Sequence, residues 1–206
     1  MRTRRYAILI DGGFIIKILQ RKLKRFPTAS DIVAECERIR TNSCLNNYEL
    51  LRIYFYHAPP SGVSLENPID KSSMNLASSK LFMSSKALLD SLEMKPDFAL
   101  RLGETAARGW KLGKSALKDI ERNGSRALAP KDLEPNITQK GVDLRIGLDI
   151  ARLSLREMVG IIVVITGDSD MIPAFKFARR EGVRVYLDHM GNPVSRDLQA
   201  HTDLIF

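Results

Sequence analysis

Residues 160–170 read Gly160-Ile161-Ile162-Val163-Val164-Ile165-Thr166-Gly167-Asp168-Ser169-Asp170. The unbroken β-branched run from Ile161 to Ile165 is too short to span a membrane and loses rotamer freedom in a helix, so it predicts a strand buried on both faces of a parallel sheet. The run empties into Asp168 and Asp170. The first apolar run of the chain, Tyr6-Ala7-Ile8-Leu9-Ile10, ends the same way, on Asp11-Gly12-Gly13. In open parallel sheets ligands sit beyond the carboxyl ends of the strands, which is where Asp11, Asp168 and Asp170 are expected to meet.

Working outward from these strands, Phe14 to Phe26 has apolar residues at helical spacing with Lys and Arg opposite, and predicts a first helix. Ser30-Asp31 is the expected cap of a second helix running to Thr41. Leu50 to His57 reads as a strand closed by Ala58-Pro59-Pro60. Residues 61–71 are rich in turn formers and read as a surface loop, followed by a helix over 73–92 with Leu76, Leu81, Leu88 and Leu92 as core candidates. Phe98 to Leu102 predicts a short edge strand. From Gly103 to Pro135 periodicity weakens and basic residues outnumber acids, so the region is expected to be less regular and peripheral. Leu144, Leu148, Ile150 and Leu153 suggest a helix reaching Arg156. Beyond Asp170 a helix to Glu181, a left-handed stop at Gly182, a strand over 183–187, a short helix over 194–200 and a last edge over 204–206 complete the reading. The fold class expected is α/β, a mainly parallel central sheet flanked by helices, as one domain over 1–206.

At 206 residues the chain suffices for one well-packed domain. A formal charge of +8 suggests a polyanionic partner. Cys36 and Cys44 lack neighbours for a zinc site or a disulfide framework. The basic Met1 to Arg5 start is followed by Asp11 where a signal peptide would need an apolar core, and no run approaches a membrane span, so a soluble protein of the cytoplasm or another reducing compartment is expected. Neither nucleotide-binding glycine pattern follows a strand here. His57, His189 and His201 are widely spaced and lack a nucleophile partner.

The topology can also bring in Asp143, near the start of the helix before the strand at 161–165. Carboxylates gathered away from water repel one another, and Mg²⁺ or Mn²⁺, which favour oxygen ligands, relieve that repulsion. The chemistry such a site suits is phosphoryl transfer.

Ile10-Asp11-Gly12-Gly13-Phe14, Lys140-Gly141-Val142-Asp143 with Asp149 beyond it, and Val164 to Pro173 resemble the motifs of the NYN family of PIN-like ribonuclease domains, with Gly182 to Tyr186 extending the likeness. It covers residues 4–188, more loosely in the middle. The resemblance implies a PIN-like, Rossmann-like three-layer fold whose acids bind Mg²⁺ or Mn²⁺ and hydrolyse RNA. By motif, Asp11, Asp143 and Asp168 correspond to metal ligands, and Asp170 to an outer ligand or water positioner. Many members carry Asn where this chain has Gly13. The implied partner is single-stranded RNA, with DNA not separated from it by sequence, no membrane, and a homodimer left open.

Each residue also has a plainer reading. Asp11 could be a turn former, Asp143 a helix N-terminal acid, and Asp168 and Asp170 caps of the following helix. Asp149 divides between surface ion pairing and support of the site, Thr166 between a site hydroxyl and packing, and Trp110 between base stacking and packing. Lys22, Lys24, Arg25 and the Arg108 to Lys118 stretch are candidates for backbone phosphates. Two alternatives stand beside the ribonuclease. One is an RNA-binding regulatory protein with little or no catalysis, favoured by Gly13. The other is a haloacid-dehalogenase-like phosphatase, disfavoured because that group needs a second acid where Gly13 stands.

Overall fold

The computed structural model describes residues 4–206, so the first three residues of the basic start lie outside it. In chain order the elements are β1 (Arg5–Asp11), α1 (Gly12–Leu23), α2 (Ala29–Arg40), β2 (Glu49–His57), β3 (Ser64–Glu66), β4 (Ser73–Asn75), α3 (Lys80–Glu93), β5 (Phe98–Leu102), β6 (Glu104–Leu112), α4 (Lys114–Asn123), β7 (Leu133–Lys140), α5 (Val142–Leu155), β8 (Ile161–Ile165), α6 (Ile172–Arg180), β9 (Arg184–Asp188), α7 (Arg196–Ala200) and β10 (Leu204–Ile205). The main sheet has the order β10-β9-β8-β1-β2-β5, and every pairing in it is parallel.

Alternation along the interior strands builds three layers. Tyr6, Ile8 and Ile10 of β1, with Ile161, Val163 and Ile165 of β8, join a core with Ile15, Leu19, Ile32, Ile39 and Leu92 of α1, α2 and α3. Ala7 and Leu9, with Ile162 and Val164, face the opposite way onto Ile146, Ile150, Phe175 and Leu198 of α5, α6 and α7. Because both faces are covered, both strands read as continuous apolar runs. Cys36 is buried in the first core, its thiol pushed up by burial to about 12, and neither it nor Cys44 is bonded to the other. Among the described residues no helix is long and apolar enough to cross a membrane.

Several boundaries differ from the sequence expectation for identifiable reasons. Residues 73–92 do not form one helix: β4 pairs antiparallel with β3, and the helix starts only after Ser79, whose hydroxyl accepts the Phe82 N–H at 3.1 Å. The cap of α2 is at Thr28 rather than Ser30-Asp31, with Asp31 accepting from both the N–H and the hydroxyl of Thr28 at 2.7 Å. Leu144 and Leu148 are 66% and 60% exposed. The buried stripe of α5 is Val142, Ile146, Ile150 and Leu153, and residues two positions off such a stripe project roughly to the opposite side.

The stretch from 103 to 135 is more regular than expected. β6 and β7 form an antiparallel ribbon carrying α4 between them, outside the main sheet. Gly103 fixes its foot: a Cβ there would lie 2.5 Å from the Lys140 carbonyl oxygen, and the Gly103 N–H donates to the His57 carbonyl at 2.9 Å. The ribbon therefore rises from the carboxyl edge of the sheet.

Candidate active site

Asp11 ends β1 and caps α1, its Oδ1 accepting the Phe14 N–H at 3.1 Å. Gly12 behind it is held against β2, since a Cβ would come within 2.6 Å of the Tyr56 carbonyl oxygen. No side chain fits there without moving backbone, which explains the first glycine of Asp11-Gly12-Gly13. Gly13 is exposed, and a Cβ on it would meet Asp11 Oδ1 at 3.4 Å. A longer side chain at that position would stand directly beside the carboxylate.

On the neighbouring strand, Thr166 is fully buried just beyond β8. Its hydroxyl lies 3.3 Å from Asp11 Oδ2 and accepts the Asp168 N–H at 3.1 Å, strapping the two acidic loops together. Asp168 Oδ1 in turn accepts the Asp170 N–H at 2.9 Å, starting the turn that leads into α6. Gly167 passes under Phe14, whose ring would lie 2.6 Å from an added Cβ. Asp143 enters from the first turn of α5, after Gly141 in the left-handed region at φ 72°. It shares a shallow groove with Asp170, Leu148, Met171 and Pro173.

Electrostatics couple these groups. Burial raises the pKa of Asp11; the Phe14 N–H works against that, while the charges of Asp143 and Asp168 add to the rise. Asp143 is also raised, by burial first and then by Asp168 and Asp170. Among the described residues none of the four carboxylates forms an ion pair, although the chain is rich in Arg and Lys. Among the described residues no group of three or more His, Cys, Asp or Glu is drawn together closely enough to hold a metal ion. The site is an open arrangement of mutually repelling acids rather than a closed cage.

The other candidates separate clearly. Asp149 is a brace: its Oδ2 accepts the Tyr56 hydroxyl at 2.8 Å and Arg101 Nε at 2.9 Å, joining α5 to β2 and β5. Trp110 donates its indole N–H to the Glu66 carbonyl at 2.7 Å and docks the ribbon onto the β3/β4 hairpin. Arg25 is committed to Asp31 and Lys22 faces Glu35, so the first helix offers less free positive charge than its composition suggests. Sequence reasoning passed over Asp188, a buried acid ending β9 as Asp11 ends β1. Its partners are Arg38 and the Met190 N–H, so its charge is neutralised within the fold.

A model of the NYN domain matches residues 103–205, half of the chain. The chain belongs to the NYN family. The matched segment carries Asp143, Asp168 and Asp170, and the sheet adds Asp11 from outside it through β1 and the Thr166 strap. NYN membership goes with a nuclease-type fold. A crystal structure of a protein of unknown function from Vibrio parahaemolyticus is similar over 99% of this chain and 92% of its own, with a TM-score of 0.55 at 14% identity, a likeness of fold alone. Among curated proteins none matches the chain.

Proposed function

We propose that this protein is a Mg²⁺- or Mn²⁺-dependent ribonuclease that hydrolyses phosphodiester bonds of single-stranded RNA, acting as one NYN unit over the whole chain. The observation that carries the reading is a set of coupled carboxylates at the carboxyl edge of a parallel sheet, to which no cationic side chain among the described residues is paired. The donors are all oxygen, which suits Mg²⁺ and Mn²⁺. Mg²⁺ commonly keeps several waters and takes only one or two carboxylates besides substrate phosphate, so an open set of acids fits its habit.

Asp11, Asp143 and Asp168 would hold the ion or ions between them, one or two directly and the rest through retained waters, and the metal when bound supplies the Lewis acidity that activates water and steadies charge on the attacking and leaving oxygens. Asp11 is held in place through Thr166 and its helix cap, while Asp168 fixes the turn that presents Asp170. Asp170, exposed beside Asp143, orients the attacking water. Basic side chains of the ribbon and of the helix it carries, Arg108, Lys114 and Lys118, take backbone phosphates without reading sequence.

Labelled single-stranded RNA with Mn²⁺ or Mg²⁺ tests the reading. Wild-type protein is expected to cut it, and EDTA, Asp11→Asn or Asp168→Asn to reduce the rate by about a hundredfold or more, at least what the loss of a mere outer-shell partner can cost. Asn can still cap α1, so Asp11→Asn should melt no lower than wild type at neutral pH; cleavage surviving both substitutions sinks the proposal. Gly13 favours a second reading, an RNA-binding protein of little activity, because glycine brings no side chain to the position beside the Asp11 carboxylate. RNA bound equally by wild type and Asp11→Asn, with no metal-dependent product, would select it.

A further inference from the structure

On the other side of Gly12 from the carboxylates, the carboxyl end of β2 opens into a cavity of about 290 Å³ bounded by α1, the start of α3 and the foot of the ribbon. The Phe26 and Phe82 rings and Ile16 supply apolar walls. Polar side chains share the lining, the two longest being Gln20 and Gln139. Gln20 and Gln139 make no side-chain hydrogen bond among the described residues, and His57, more than nine-tenths buried, has a buried Nδ1 with no hydrogen-bond partner. Apolar rings beside free amide donors and acceptors are the chemistry that holds an unstacked base, stacked on its faces and hydrogen-bonded along its edge.

Position agrees with chemistry. Ile16 and Gln20 stand on α1, the helix Asp11 caps, and Gln139 precedes Asp143 across Lys140, Gly141 and Val142. At about 1.5 Å per helical residue, Ile16 lies roughly 8 Å along the axis from Asp11, within reach of a nucleotide adjoining a phosphate held there. The cavity volume falls just below the range of about 300–1,000 Å³ found for drug-sized ligands, so a single planar heterocycle suits it better than a whole dinucleotide cofactor.

We infer that this cavity receives one nucleobase of the RNA strand whose phosphodiester lies at Asp11, the base resting on Phe26 and Phe82 with its polar edge turned to Gln20 and Gln139. The inference rests on the ribonuclease reading, and gives that enzyme a fixed register between one base and the bond cut.

Equilibrium binding in Ca²⁺, an ion that also takes oxygen ligands, read over times in which a gel shows no product, tests it. Labelled single-stranded RNA is titrated with wild type and the Gln20→Ala/Gln139→Ala variant, and a single abasic position is walked along the oligonucleotide. Both glutamines are exposed, so the variant should keep its melting temperature. Expected is about tenfold weaker wild-type binding when one particular base is missing, with the double variant binding intact RNA about tenfold more weakly and losing sensitivity to that position. A flat abasic walk, or a variant that binds as wild type does, overturns the inference. Adenosine or uridine monophosphate bound in a Gln20- and Gln139-dependent way while the RNA titration ignores both would assign the cavity to a free nucleotide and overturn the strand. The two readings fail separately. Asp11-dependent cleavage with a flat walk removes the base site and leaves the nuclease, whereas a positional walk without cleavage keeps the base site and removes the hydrolase.

Discussion

Asp11 and His57 stand on either side of Gly12 and titrate in opposite senses. Burial and the nearby acids raise Asp11, so its charged form is disfavoured in the folded state, and this contribution makes the protein less stable as pH climbs from the ordinary carboxylate range through the raised value. Burial lowers His57 to about 4. Its stabilising contribution is therefore complete above its unfolded value of roughly 6.5 and is lost as pH falls toward 4. Replacing His57 with Gln should abolish that loss, so that between about pH 7 and pH 5 wild type loses on the order of 2 kcal/mol more than His57→Gln in urea unfolding. Parallel pH profiles would contradict it. Asp11 itself was legible because a buried strand that stops on an acid is a local pattern. That Gly12 is obligatory while Gly13 is free was not, since the distinction depends on the Tyr56 carbonyl far along the chain.

Among the elements, α5 shows what periodicity can and cannot deliver. The helix was legible, but its face only in part: Ile150 and Leu153 are buried with Ile146, whereas Leu144 and Leu148 look outward. Several apolar stripes coexist on that helix, and only the packing against β1 and β2 chooses among them. The same packing settles Asp149, which sequence left between surface and site. Because Asp149 satisfies the largely buried Tyr56 hydroxyl and Arg101 together, Asp149→Ala should cost about 1–3 kcal/mol in denaturant unfolding by leaving that hydroxyl unpaired. A change within a few tenths would reduce the contact to a surface pair. The β3/β4 hairpin escaped detection because its strands are three residues each and mostly polar, giving alternation nothing to register.

For the molecule as a whole, the parallel core was readable, since β1, β2, β8 and β9 are each apolar runs followed by helical or turn signals. The ribbon was not, because pairing Glu104 with Lys140 is a long-range event without a local sequence mark. Its basic side chains and those of α4 carry a prediction at this scale: changing Arg108, Lys114 and Lys118 together to Gln should lower RNA affinity and flatten the plot of log binding constant against log salt by about 2, at roughly 0.7 per phosphate contact for a single strand. An unchanged slope would place the RNA elsewhere. The closely apposed feet of that ribbon, Gly103 and Lys140, have a further consequence. A chain segment that leaves and re-enters the scaffold at one point can lengthen, shorten or diversify at little entropic cost to the rest, because loop closure grows only with the logarithm of length. The ribbon can thus change in length or sequence while the sheet it rises from, and the carboxylates at that edge, keep their register.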